Sequence, residues 1–297
     1  MRHTNSVAVT SRLLLACLLG VAASFTFAQE DDRPVEDASR FKLARVPKAS
    51  LPTLFLVGDS TVKCGTKGQR GWGEEIGKYF EPAKVNVVNH AIGGRSSRTF
   101  ITEGRWAASL AMMREGDVVI IQFGHNDGGP VNDDSRARGS LRGVGPETEA
   151  IDNLLTKQPE VVRTYGAYLR QYLDDARGKG VTPYLCTQVP RKHWDQKTGT
   201  ITRPTNGTVV WAREVAEGER ATLLDLYENV ATAYDELGPA GIDPLFADAA
   251  THTTAAGADF TARRVVALLA NLPESPWPPL LSEAGTTAWK TSGGQPE

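Results

Sequence analysis

Five short apolar runs rich in β-branched residues recur along the chain, separated by stretches with helical spacing. The runs are Leu54–Val57, Val85–Asn89, Val118–Phe123, Thr182–Cys186 and Thr222–Leu226. Apolar and polar residues do not alternate strictly within them, which is typical of strands covered by helices on both faces. Strand alternating with helix predicts an α/β fold built on a mostly parallel, five-stranded sheet.

The clearest helical pattern lies between the third and fourth runs. It spans Pro159–Arg177, where apolar residues share one face at helical spacing, and Gly178 and Gly180 end it. A polar, glycine-rich insert from Gly128 to Lys157 precedes it. Because loops at the carboxyl ends of parallel strands line ligand sites, the insert either shapes a substrate cleft or is a plain surface excursion.

The amino-terminal 28 residues have the features of a signal peptide. Arg2 and Arg12 are followed by an apolar stretch that runs to Phe27, and Ala28 offers a cleavage site. Cleavage predicts a secreted or periplasmic protein with no membrane association; the alternative is an uncleaved anchor. Residues 29–50 then form a predicted linker, residues 51–272 the domain, and residues 273–297, rich in Pro, Ser and Gly, a loose tail.

Composition excludes some classes of function. The chain is 40% hydrophobic and 23% charged, with a formal net charge of -2, as in an ordinary globular protein. It lacks the basic stripe of a nucleic-acid-binding protein. The two cysteines beyond the signal peptide, Cys64 and Cys186, form a disulfide after export or stay as buried free thiols, and neither has the setting of a nucleophile.

Four polar segments follow predicted strands or precede a predicted helix. Ser60 lies directly after the first strand, where a hydroxyl is exposed at the edge of the sheet; its alternative role is to cap a helix. Gly93 and Gly94 follow the second strand, where glycine lets backbone N–H groups approach a ligand; the alternative is a tight turn. Asn126 follows the third strand and offers a side-chain N–H at the same edge, or serves only as a turn residue.

The fourth segment precedes an alanine-rich helix and contains an acid and a base. His252 follows Asp248, and a histidine whose tautomer is fixed by a carboxylate can act as a general base. A lone histidine beside a helix is more often structural. The order of serine, aspartate and histidine along the chain nevertheless matches α/β hydrolytic enzymes.

With these four segments the sequence resembles the SGNH (GDSL-type) hydrolase superfamily, in particular its rhamnogalacturonan acetylesterase-like branch. The resemblance covers roughly residues 54–269 and includes four further blocks: Gly71-Trp72-Gly73, Gly94 to Phe100, Glu103 to Trp106, and Ile121 to Asp127. It implies a flavodoxin-like three-layer α/β/α sandwich, and no metal or organic cofactor.

The resemblance also implies roles for individual residues. Ser60 is the nucleophile and His252 the base, and the oxyanion hole is formed by the N–H groups of Ser60 and Gly94 and the side chain of Asn126. The implied substrate is an acetylated polysaccharide or oligosaccharide.

One departure from the family pattern concerns the acid. Family members have Asp three residues before His, whereas Asp248 precedes His252 by four, and Ala249 occupies the usual position. Either the loop has one extra residue and Asp248 still reaches His252, or another acid such as Asp243 replaces it, or a backbone carbonyl orients the ring.

Several residues near the expected site are suited to an acidic sugar. Arg191, His193 and Trp194 follow the fourth strand, and Arg95 and Arg98 follow the glycine turn. Arginine pairs with carboxylates in a bidentate manner, so these residues are candidates for binding uronates. The alternative is that the arginines form structural salt bridges and Trp194 packs its loop.

Two other functions compete with a carbohydrate acetylesterase. The same fold can hydrolyse lipid, aryl or thioester substrates, although the insert is too polar for a lipase lid. A protein that has lost catalysis through the altered acid–base spacing would only bind carbohydrate.

Overall fold

The computed structural model describes residue 1 and residues 41–292. Residues 41–292 belong to one compact unit, which contains the whole predicted domain. The predicted signal peptide lies, apart from its first residue, outside the described residues. The strands are β1 Thr53–Gly58, β2 Asn86–Asn89, β3 Val118–Gln122, β4 Thr148–Asp152, β5 Pro159–Arg163, β6 Thr182–Cys186 and β7 Thr222–Leu224. The helices are α1 Ser97–Thr102, α2 Arg105–Ala111, α3 Tyr165–Gly178, α4 Thr208–Gly218, α5 Leu226–Ile242, α6 Ala255–Ala270 and α7 Glu283–Ser292.

Five strands form one parallel sheet in the order β2-β1-β3-β6-β7. The five apolar runs of the sequence correspond to these five strands, so the predicted sheet is confirmed. The order is that of flavodoxin-like folds, in which the chain leaves the first strand toward one edge and then returns past it to the other.

Helices cover both faces of this sheet, as the apolar runs predicted. Within β1, Leu54 and Leu56 face the layer that contains α5, α6 and α7. Phe55 and Val57 face the opposite layer, which contains α1 to α4. The alternation follows from the two-residue repeat of a strand, and it makes the fold a three-layer α/β/α sandwich.

The insert between β3 and α3 contains an element that the sequence did not predict. β4 and β5 pair as a separate antiparallel hairpin, with Ala150 opposite Val161. The predicted helix over Pro159–Arg177 is therefore wrong in its first five residues, because they pair with β4. The helix begins at Tyr165, where the hydroxyl of Thr164 accepts a hydrogen bond from the Ala167 N–H and caps its first turn.

Both predicted flanking segments differ from expectation where the structure describes them. In the predicted linker, Val46 packs against the core, and the backbone N–H of Lys48 donates to Oδ1 of Asn86 at 3.1 Å. In the predicted loose tail, Trp277 is buried and α7 packs against α6. The apolar residues of the tail bury surface against the core, which a count of Pro, Ser and Gly does not reveal.

Cys64 and Cys186 are both free thiols, so the alternative of a disulfide between them is excluded. Cys186 is buried at the end of β6, and burial raises the pKa of its thiol. It is a packing residue of the core, in agreement with the alternative considered from the sequence.

Candidate active site

The loop after β1 places Ser60 at the carboxyl edge of the sheet. Its turn is closed by hydrogen bonds from the N–H groups of Val62 and Lys63 to the carbonyl of Asp59, both at 3.1 Å. No helix follows directly, so Ser60 is not a helix cap. Its hydroxyl instead lies 2.9 Å from Nε2 of His252.

His252 connects this hydroxyl to a carboxylate. Nδ1 of His252 lies 2.5 Å from Oδ2 of Asp248, and the His252 side chain is 28% exposed. Serine, imidazole and carboxylate thus form one hydrogen-bonded chain, although Ser60 and His252 are 192 positions apart in the sequence. An acid on Nδ1 leaves Nε2 to accept the serine proton.

The four-residue spacing is accommodated by a turn around the Asp248 carboxylate. Oδ1 of Asp248 accepts hydrogen bonds from the backbone N–H groups of Ala250, Thr251 and His252 at 3.0, 2.7 and 3.0 Å. These bonds fold the loop back, so Oδ2 of the same carboxylate reaches the His252 ring. The sequence left three alternatives for the group that orients His252. The structure has the one in which Asp248 contacts the His252 ring.

The hydrogen bonds also stabilise the charge of Asp248. Partial burial raises the pKa of this carboxyl, but the bonds from Thr251, His252 and Ala250 outweigh burial and hold the pKa well below its usual range. Asp243 does not replace it. Its carboxylate is 66% exposed and lies 2.8 Å from Nζ of Lys192.

The glycine turn after β2 packs directly against the serine. A Cβ added to Gly93 would lie 3.4 Å from Cβ of Ser60, and Gly94 has a φ of +82°, which favours glycine. Within residues 41–292 the N–H groups of Ser60 and Gly94 have no hydrogen-bond partner. Both are therefore free to bind an oxygen of a ligand.

Asn126 lies at the end of β3 and is 8% exposed. One N–H of its amide donates to the carbonyl of Arg95 at 2.7 Å, which ties it to the glycine turn. The amide has a second N–H. The three predicted oxyanion donors are thus placed by three neighbouring strand ends, those of β1, β2 and β3.

A buried polar network lies behind Ser60, and the sequence analysis assigned it no role. Gln122, in β3, accepts from the Trp72 indole at 2.8 Å and donates to the Thr61 hydroxyl at 2.7 Å. That hydroxyl donates to Oδ1 of Asp59 at 2.7 Å. The sequence signal for this network was a glutamine inside an otherwise apolar strand, because a buried side-chain amide needs hydrogen-bond partners.

Asp127 anchors a second buried network beside Asn126. It accepts hydrogen bonds from the backbone and hydroxyl of Ser97, at the start of α1, and from Ser140 in the insert. Burial raises the pKa of Asp127 to about 6, although the bonds from Ser97 and Ser140 oppose the rise. The residue holds α1 and the insert close to the end of β3.

The predicted substrate residues lie in different settings. Arg95 pairs with Glu103 at 3.0 Å, and Trp194 packs against the core, as the structural alternative proposed. Arg191 is exposed, and its Nε lies 3.5 Å from Nδ1 of His125, while His193 is also exposed. Arg191 and His193 therefore remain candidates for substrate contact.

Arg98 has a structural role. Its side chain is 0% exposed and forms a bidentate pair with Glu160, both distances being 2.7 Å. Its Nη1 donates to the carbonyls of Val131 and Gly139, each at 2.7 Å. Arg98 therefore connects α1 to the insert and is not available to a uronate.

The described part of the chain contains neither a cluster of metal ligands nor a membrane-spanning helix. Among residues 41–292, no group of three His, Cys, Asp or Glu side chains is placed to hold a metal ion. No helix in the same part of the chain is long and apolar enough to cross a membrane.

The fold and the site together are typical of α/β hydrolytic enzymes that use an activated serine. The chain belongs to the GDSL-like lipase/acylhydrolase family, whose model matches residues 56–260, and it is a carboxylic ester hydrolase. The resemblance drawn from the sequence motifs is confirmed.

Two relatives within the family match this chain over most of their own length. A rhamnogalacturonan acetylesterase of Emericella nidulans is 32% identical over 74% of this chain and 85% of its own length. A probable rhamnogalacturonan acetylesterase of Bacillus subtilis, YesY, is 32% identical over 71% of this chain and 89% of its own length. The crystal structure of the Bacillus subtilis protein YxiM has the same fold, with a TM-score of 0.59 and 24% identity over 74% of this chain and 56% of that one.

Proposed function

We propose that this protein is a secreted carbohydrate acetylesterase that removes acetyl groups from pectic rhamnogalacturonan through an acyl-enzyme on Ser60. The observation that carries the proposal is the hydrogen-bonded chain from Ser60 through His252 to Asp248 beside free N–H groups. The substrate is suggested by the relatives named above. Export is suggested by the features of residues 1–28.

The geometry supports a two-step mechanism. Nε2 of His252 takes the proton of the Ser60 hydroxyl as its oxygen attacks the acetyl carbonyl, and the carbonyl oxygen becomes negative. The N–H groups of Ser60 and Gly94 and the amide of Asn126 stabilise that charge; one such donor contributes about 3–4 kcal/mol to catalysis. His252 then protonates the departing sugar hydroxyl, which leaves the acetyl group on Ser60.

The second step reverses the first with water as the nucleophile. His252 takes a proton from water, the resulting hydroxide attacks the acetyl group, and acetate leaves as Ser60 regains its proton. Asp248 keeps Nδ1 of the ring protonated throughout and stabilises the transient imidazolium. Neither step involves a redox change, and Ser60, His252, Asp248 and the oxyanion donors supply the groups that both steps use.

Acetate release by the wild type and by Ser60→Ala tests the mechanism. We expect Ser60→Ala to lower kcat about 10⁴- to 10⁶-fold on a small acetate ester, because the nucleophile is removed. Ser50→Ala, an exposed serine outside the site, is the matched control and should retain wild-type activity. Unimpaired turnover by Ser60→Ala would exclude the acyl-enzyme.

Two acetylated polysaccharides test the substrate. Acetate release from acetylated pectic rhamnogalacturonan but not from acetylated xylan is expected. Release from xylan instead would make the protein a carbohydrate esterase of other specificity, and release from small esters alone would favour a general esterase. Binding of pectin without any release would favour a carbohydrate-binding protein.

Export is tested by expressing the full chain in a bacterial host. The expected result is an exported protein whose sequence begins at Gln29. A product that keeps Met1 and stays with the membrane fraction would indicate an uncleaved anchor.

A further inference from the structure

Arg138 in the insert lies against the glycine turn of the candidate active site. Its Nη1 donates to the carbonyl of Gly94 at 3.1 Å. Gly93, the preceding residue, packs against Ser60. The guanidinium is therefore bound to the same peptide segment that offers the Gly94 N–H to the substrate.

The backbone that carries Arg138 is fixed. Its neighbours Ala137 and Gly139 are buried. The Ala137 N–H donates to Oδ1 of Asp133 at 3.0 Å, and the Gly139 N–H donates to the carbonyl of Pro130 at 2.8 Å. A long cationic side chain on a fixed backbone loses less entropy on binding than one on a mobile loop.

The charge of Arg138 has no partner within the described part of the chain. No carboxylate oxygen there lies within 4.0 Å of its guanidinium, whereas Arg95 and Arg98 each pair with a glutamate. Three carboxylates act on Arg138 only over a longer range: Asp59, Asp127 and Asp133. Asp127 accepts from two serines and Asp133 from three backbone N–H groups, while Asp59 accepts from Thr61 through Oδ1 and its Oδ2 has no hydrogen-bond partner within residues 41–292.

A guanidinium has five N–H donors, and the Gly94 carbonyl uses one of them. The remaining donors form a planar fork that matches the two oxygens of a carboxylate. A lysine could not present that geometry. The chemistry at this position therefore favours a substrate carboxylate over a neutral hydroxyl.

The sheet order places a second unpaired cation on the other side of Ser60. The turn held by Arg138 follows β2, and Ser60 follows β1, its neighbour. Arg191 follows β6, two strands further along, and contacts His125 after β3. Arg138 and Arg191 thus contact loops that lie on opposite sides of the Ser60 loop along the edge of the sheet.

We propose that Arg138 binds a carboxylate of the substrate beside the reacting acetyl group and so makes the enzyme selective for acetylated sugars that carry free carboxylates. The inference rests on the proposed function, because it assigns a specificity residue to the same site. It differs from the assignment made from the sequence, which considered Arg95, Arg98, Arg191, His193 and Trp194.

The experiment compares two substrates that differ in whether their uronate carboxylates are free and charged or methyl-esterified and neutral. Acetylated rhamnogalacturonan oligosaccharides are used with free carboxylates and after methyl esterification, and kcat/KM is measured for each. For Arg138→Gln we expect the ratio of anionic to neutral kcat/KM to fall about 10- to 100-fold, since a charge-assisted hydrogen bond is lost. Arg138→Lys should recover part of the ratio, and Arg136→Gln, an exposed arginine two positions away, should leave it at the wild-type value.

The ratio separates recognition from a purely structural role. If Arg138 only held the Gly94 turn in place, Arg138→Gln would lower both values by the same factor and the ratio would not change. That result would overturn the proposal. A wild-type enzyme that cleaves both substrates equally well would also overturn it while leaving the proposed esterase function intact.

A binding measurement covers the case in which the proposed function fails. Ser60→Ala is titrated calorimetrically with deacetylated rhamnogalacturonan oligosaccharides, free and methyl-esterified. Binding that prefers the free acid, and loses this preference when Arg138→Gln is added, supports carboxylate recognition even without acetate release. Equal binding of the two forms, or a preference that survives Arg138→Gln, contradicts it.

Discussion

Two segments border the candidate active site, and different interactions hold them in place. The His252 loop, residues 247–253, is fixed mainly by backbone hydrogen bonds: Ala247 N–H to the His252 carbonyl at 2.8 Å, and Lys192 N–H to the Ala250 carbonyl at 2.8 Å. The insert and the strand β5 that follows it depend on the buried side chain of Arg98, which binds Glu160 of β5 and two insert carbonyls.

The difference separates chemistry from substrate recognition. The positions of Ser60 and His252 follow from short loops at strand ends and a helix start, whose backbone groups are satisfied within the loop or by neighbouring loops. The position of Arg138 follows from local bonds of its own loop and, in addition, from Arg98, which binds the adjacent Gly139 carbonyl and forms a long-range ion pair with Glu160. We therefore expect changes in the His252 loop to affect every substrate, and changes at Arg98 to affect stability and large substrates most.

The largest expected effect concerns the acid in the His252 loop. Asp248→Asn keeps the size of the side chain but removes the charge that holds the His252 tautomer, and kcat on a small acetate ester should fall about 10⁴-fold. Asp243→Asn is the matched control, since Asp243 is exposed and pairs with Lys192. If Asp243→Asn were the damaging change, the acid would be misassigned.

The second effect tests how the insert is held. Arg98→Met leaves Glu160 partly buried without its partner, which typically costs about 3–5 kcal/mol of unfolding free energy. Arg95→Met, three residues earlier, breaks the more exposed pair with Glu103, which is worth about 0–1 kcal/mol. Urea denaturation of the two variants and the wild type gives both values.

Kinetics of Arg98→Met sharpen the same comparison. Activity on a small acetate ester should be retained better than activity on an oligosaccharide, because the insert carries Arg138 and the His252 loop does not depend on Arg98. Equal losses on both substrates would mean that the insert also supports the chemistry.

The fold was predictable because its signals are local and repeated. Each of the five parallel strands contains a short apolar run, and burial between two helical layers favours that composition. The predicted helix was wrong over Pro159–Arg163 for a non-local reason. Val162 fits a helical face, but Val161 and Val162 are both β-branched, and pairing with β4 decides between the two structures.

The site was predictable in its residue types but not in its contacts. Ser60, His252 and Asn126 stand at strand ends or a helix start, where topology brings them together. The contact between Asp248 and His252 depends on a turn that three backbone N–H groups build around one carboxylate, and spacing alone does not reveal it. Whether an arginine is paired, as Arg98 is, or unpaired, as Arg138 is, depends on residues tens of positions away.

The smallest effect expected is a pH-dependent change in stability at Asp248. Its folded pKa is depressed, so ionised Asp248 contributes stability above the pKa of an unfolded aspartate, about 3.9, and this contribution is lost as pH falls through the folded value. The Asp248 side chain is 33% exposed, and solvent screens the interaction.

Asp248→Asn isolates this contribution, because the amide oxygen can still accept the three backbone hydrogen bonds and the loop can still fold. The variant should be less stable than the wild type at neutral pH, and the difference should shrink as the pH is lowered from about 5 to about 2. Urea denaturation at several pH values measures it. A difference that stays constant across that range would mean that the negative charge of Asp248 does not stabilise the loop, and that the backbone bonds alone hold His252 in place.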